Sequence, residues 1–258
     1  MNAMKRVLLL LLFVIFVPFS TTNAQSFNIP EGDFYIDLGD GNWQQQEEDP
    51  AYLPKEIIKQ YYFTESSTAK SIVINVTENN MSKNIVDMSS ININEQFLNG
   101  FENSARNSVQ GTFTTLVKEA KKINTMNGTY IEFINNNPSI YSGNMYCRDF
   151  ATIKNGKVIH FLFIYFDEQS LYNSKQKDID TLSTVAFTKD SINDVKPAST
   201  QQTKTTNTAN YNDDTNFSYD IGKIIGKAIA GGIIVIVFGA IVGGFRWLIK
   251  KISNKGND

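Results

Sequence analysis

Few side chains in this chain could do chemistry. His160 is the only histidine and Cys147 the only cysteine among 258 residues. A Ser–His–Asp or Cys–His site would have to use that one imidazole. One His and one Cys are too few for a His/Cys zinc site, and no His-Glu-x-x-His can be written. Alternation along the run places His160 on one strand face with Val158, Leu162 and Ile164, so it reads as a core histidine. Cys147 reads as a small apolar strand residue. A lone cysteine admits no intramolecular disulfide, so stability must come from a packed core. Asp33, Asp37, Asp40, Glu47, Glu48 and Asp49 form an acidic cluster, but without the spacing of an EF-hand loop. It reads as a solvated loop. Gly39-Asp40-Gly41 opens no helix and so offers no phosphate cradle. The expectation is a non-enzyme with no cofactor and no metal.

The elements that would position these residues follow from periodicity. Phe34 to Leu38 alternates apolar and polar, a strand signal, and Gly39 to Asn42 turns the chain before Trp43. Gln44 to Pro54 reads as loop. Ile57–Phe63 and Lys70–Glu78 read as strands, with Ile72, Ile74 and Val76 on one face. Asn79–Ser90 reads as a polar connection. Asn92–Val109 reads as a helix: Asn92 and Glu95 have capping-box spacing, and Phe97, Phe101 and Ala105 make one apolar stripe. Phe113–Val117 and Thr129–Ile134 read as strands, with a turn at Asn127-Gly128 and a break at Asn135-Asn136-Asn137-Pro138. Asn155-Gly156 lies between the strand-like runs Met145–Ile153 and Val158–Phe166, which is a hairpin signal of the type I′ kind. Val158–Phe166 is apolar on both faces apart from His160, as a central strand covered on both sides requires. Ser174–Ala186 reads as the last helix of the domain.

Both ends carry apolar runs. Lys5 and Arg6 precede Val7–Phe19, and Thr22-Asn23-Ala24 closes the segment, so residues 1–24 read as a secretory signal peptide. Ala228 through Phe245 holds 18 residues without a charge, about 27 Å of helix, close to the ~30 Å bilayer core. Residues 222–249 therefore read as a transmembrane helix and 250–258 as a basic cytoplasmic tail. Between them, 25–190 reads as one exported domain and 191–221 as a disordered polar stalk that would leave the domain tethered near the membrane without packing on it. The net charge of −2 hides an asymmetry: 16 basic and 25 acidic residues fall between Gln25 and Asp220. So acidic a domain excludes ordinary nucleic-acid binding. Gly222, Gly226, Ala228, Gly232, Gly239 and Gly243 place small residues one turn apart, the spacing that lets helices approach closely. They are candidates for helix–helix contact.

The order of these features resembles a known family. Asp40-Gly41-Asn42-Trp43 closes an early strand, the Phe97/Phe101 helix follows, and the Asn155-Gly156-Lys157 hairpin leads to a helix ending in Val185-Ala186-Phe187. Over roughly Phe34 to Phe187 the chain resembles the α/β/α sandwich of PsbP and the bacterial lipoprotein DcrB. The resemblance implies an α+β fold, an antiparallel sheet flanked by helices, used for protein association or accessory roles and carrying no catalytic signature. The C-terminal transmembrane helix is a departure from those families.

These readings converge on a single-pass protein of the bacterial inner membrane. Its exported domain would bind an envelope protein or self-associate through the membrane helix. A small-molecule or glycan sensor using Trp43, Tyr61, Tyr62 and Tyr146 is the alternative. A hydrolase comes last, and it requires an exposed His160 beside a Ser and a carboxylate.

Overall fold

A computed structural model describes residues 25–46, 57–65, 70–109, 115–116, 119–139, 143–188 and 217–226. The expected signal peptide, the stalk up to 216 and the apolar run beyond Gly226 lie outside these residues.

The fold is α+β. Among the described residues its main sheet holds eight strands: β3 (Trp43–Gln46), β4 (Ile57–Glu65), β5 (Ser71–Glu78), β6 (Thr115–Leu116), β7 (Lys121–Thr125), β8 (Gly128–Ser139), β9 (Gly143–Lys154) and β10 (Lys157–Tyr165). The spatial order is β3-β4-β5-β10-β9-β8-β6, with β7 also on β8, and the described pairings are all antiparallel. β10 sits at the centre, as its two-sided apolar pattern requires. A second, three-stranded sheet joins β1 (Ser26–Ile29), β2 (Phe34–Asp37) and β11 (Ala186–Phe187) in the order β1-β2-β11.

Side-chain alternation splits the core into two layers. On one face Val73, Val158, Leu162, Ile131 and Phe133 pack under Phe97, Phe101 and Ala105 of helix α1 (Glu95–Val109). On the other, Ile72, Ile74, Phe161, Phe163 and Phe150 meet Leu171 of α2 (Glu168–Asn173), Leu182 of α3 (Lys175–Ser183) and Phe34 and Ile36 of the small sheet. Burying such a side chain stabilises by about 1.5–3 kcal/mol, so the apolar alternation of β5 and β10 holds both layers at once.

The hairpin forms as its sequence dictates: Asn155 and Gly156 both have positive φ, 51° and 80°. Other expectations are corrected. The α1 cap is Asn94, whose Oδ1 accepts from the Phe97 amide at 3.0 Å, and not Asn92. The β8 strand runs on through Asn135–Pro138 because β9 pairs with it as far as Ser139–Gly143. Among the described residues β6 and β7 pair with β8 only up to Asn136, so Pro138 lies beyond the ladder on that side. Gln44–Gln46 is strand and not loop, paired with Phe63 and its neighbours on the sheet edge.

No helix among the described residues is long and apolar enough to cross a membrane. A fourth helix, α4, is described over residues 217–226 and packs on α1 through Ile221 and Ile225. Residues 217–221, expected within the stalk, are therefore helical and docked on the domain.

Candidate functional site

His160 is 0 % exposed on the α1 face of β10. Its register partners are Ala151 on β9 and Asn75 on β5. Asp149, two residues before Ala151 and so on the same face, brings its carboxylate to the ring: Nδ1 lies 3.1 Å from Oδ2 and 3.3 Å from Oδ1. Burial pushes the Asp149 carboxyl up and the imidazole opposes that shift. Nε2 is buried with no hydrogen-bond partner. Further along the same row, Gln60 Nε2 donates to Asn75 Oδ1 at 2.6 Å. Cys147 shares the Asp149 face, fully buried, and burial together with the Asp149 charge pushes its thiol up to about 12. That thiol is neutral at ordinary pH and no nucleophile. The pair has the two inner members of a catalytic triad, but α1 and α4 close over it.

The opposite face of β9 holds a second buried cluster, which the sequence reading did not find. Arg148, 1 % exposed, donates from Nη1 to Asp178 Oδ2 at 2.8 Å. Its Nε lies 3.1 Å from Glu132 Oε1, an ion-pair distance, yet it makes no aligned hydrogen bond. Asp178, on α3, also accepts from Lys70 at 3.1 Å and from the Tyr165 hydroxyl at 2.5 Å. Burial lowers the Lys70 pKa against the pull of Asp178; burial and the Asp178 charge both push the Tyr165 hydroxyl up. The signal available in the sequence was a charge inside each of two strand runs, Arg148 in Met145–Ile153 and Glu132 in Thr129–Ile134. Such a network ties α3 to the sheet at one register.

The other sequence candidates are dispersed. Trp43 and Tyr61 are buried in the layer beneath α2 and α3, Tyr146 packs against its edge, and Tyr62 lies on the α1 side. They do not form one aromatic cluster. No group of three or more potential metal ligands occurs among the described residues. Asp33 pairs with Lys157 at 2.8 Å and Asp37 caps the Gly39 amide at 2.7 Å; Glu47, Glu48 and Asp49 lie outside the described residues.

Gly222 and Gly226 do meet a helix, and that helix is α1. A Cβ at Gly222 would stand 2.2 Å from the Phe97 carbonyl oxygen, and one at Gly226 would stand 2.2 Å from that of Phe101. From the other side, a Cβ at Gly100 would stand 2.3 Å from the Tyr219 carbonyl oxygen. Three glycines thus let two backbones touch, the close approach that small residues one turn apart permit. Ala228, Gly232, Gly239 and Gly243 lie outside the described residues.

No protein-family model matches this chain, and no curated protein matches it. Solved structures do. The solution structure of cyanobacterial PsbP (CyanoP) from Synechocystis sp. PCC 6803 is similar at a TM-score of 0.46 and 12 % identity, over 66 % of this chain and 95 % of that one. A crystal structure from Bacteroides thetaiotaomicron VPI-5482 is similar at a TM-score of 0.38 and 11 % identity, over 65 % of this chain and 49 % of that one. The Saccharomyces cerevisiae Ran-binding protein Mog1p is similar at a TM-score of 0.38 and 10 % identity, over 65 % of this chain and 97 % of that one. These are likenesses of backbone arrangement alone.

Proposed function

We propose that this protein is a membrane-anchored, exported accessory module that binds another envelope protein and does no catalysis. One observation carries the reading: the side chains that could do chemistry face inward. His160, Asp149 and Cys147 are fully buried under α1 and α4, where no substrate in solution touches them. Their role is to fix one arrangement of the sheet. What the domain presents outward is surface, and surface recognises partners. The apolar run after Lys227 and the leader-like residues 1–24 support a position of that surface outside the inner membrane, with the basic tail in the cytoplasm.

The test is in-cell crosslinking of the full chain followed by purification in detergent. A discrete partner should be recovered from the wild type and equally from His160→Gln. A protein that is strictly monomeric and partnerless under crosslinking would overturn the binding role. A hydrolytic turnover lost in His160→Gln but kept by a folded Cys147→Ala control would overturn the non-catalytic one.

A further inference from the structure

Resting on the reading of the apolar run after Lys227 as a membrane anchor, we infer that the sheet end carrying Phe166 and Tyr172 lies against the lipid headgroup layer. The direction of α4 sets this. Gly222 contacts the Phe97 backbone and Gly226 that of Phe101, so the contact advances four residues on each helix and the two run parallel. α1 itself starts eight residues after Asp87, which bridges to Lys154 beside the Asn155-Gly156 turn. It ends shortly before β6, where Thr115 pairs with Asn136 far along β8. α4 therefore points away from the hairpin and toward the end where β10 finishes at Tyr165. Only Lys227 separates Gly226 from the uncharged run Ala228–Phe245. A helix continued along that axis leaves the domain at this end.

The surface found there suits an interface. Phe166 is 49 % exposed and Tyr172 on α2 is 43 % exposed. Aromatic rings settle at headgroup depth. Asp167 and Glu168 are exposed in the same patch, which favours zwitterionic over anionic headgroups. The glycine contact between α4 and α1 removes the freedom a stalk would give, so the domain sits flush on the bilayer. The opposite end, marked by Met126 at 89 % exposure in the β7–β8 turn, points outward.

The experiment places one fluorophore at a time on Phe166→Cys, Tyr172→Cys and Met126→Cys in the full chain, with Cys147→Ala as the common background so that the introduced thiol is the one labelled. The chains are reconstituted in phosphatidylcholine vesicles carrying a headgroup-attached quencher. Nine residues of β10 at ~3.3 Å each separate the two ends by about 30 Å. Quenching should be several-fold stronger at 166 and 172 than at 126, and Gly222→Leu should level the signals. Equal quenching, or stronger quenching at 126, in a chain that floats with the vesicles overturns this inference and leaves the anchor reading standing. A chain that does not float overturns both.

Discussion

Asp178 holds three groups at once: Arg148, Lys70 and the Tyr165 hydroxyl. Replacing it with Asn keeps the shape and removes the charge, so buried Arg148 and half-buried Lys70 lose their shared counter-ion. Breaking a buried pair this way costs about 3–5 kcal/mol, and in a domain of this size the melting temperature should drop by on the order of 10 °C. Thermal unfolding by circular dichroism reads it; an unchanged Asp178→Asn would show that the network contributes no stability. Asp87 gives the pH dependence. Burial alone would raise its carboxyl, but the Ser89 side-chain and backbone hydrogen bonds and Lys154 outweigh that and hold it below the usual value. A depressed carboxyl contributes stability above its unfolded pKa of about 4, and loses it as pH falls through the folded value. Wild type should therefore exceed Asp87→Asn in stability above about pH 5, with the gap closing as the pH falls through the depressed folded value. A gap independent of pH would mean the carboxylate charge is not what matters.

At the scale of elements, the legible parts were those fixed by local pattern. The Phe97/Phe101/Ala105 stripe, the two-sided apolar β10 and the Asn155-Gly156 turn each specify their own neighbourhood. What was not legible depended on distant partners. Asn135–Pro138 breaks a pattern locally, yet stays extended because β9 supplies the ladder. Gly222 and Gly226 announced a close helix contact, but spacing says only that a backbone can approach, not which one. The missing half was Gly100, a residue unfavourable inside α1 that had no local reason to be there. The contact makes its own prediction. In Gly222→Leu the new side chain meets backbone that cannot move aside, at a cost of about 1–3 kcal/mol for overpacking. Because Cys147 lies in the layer that α1 and α4 cover, its labelling by a maleimide under native conditions should speed up by ten-fold or more. A rate equal to that of wild type would mean α4 does not gate access to that layer.

The whole molecule joins three layers through one central sheet, and α4 belongs to the outermost of them although residues 189–216 separate it from β11. Ile221 and Ile225 are almost fully buried against the α1 layer. At about 1.5–3 kcal/mol each they contribute about 3–6 kcal/mol, a large share of a typical total of ~5–15 kcal/mol. The domain should therefore not end at Phe187. A chain of residues 25–226 should unfold in one cooperative step and elute as a monomer. A chain of 25–188 should melt well below it and self-associate, since losing α4 uncovers a contiguous apolar strip along α1. Light scattering and thermal melts on the two lengths decide the matter. Equal stability and equal mass would place α4 outside the folding unit and return the link between domain and apolar run to a free tether.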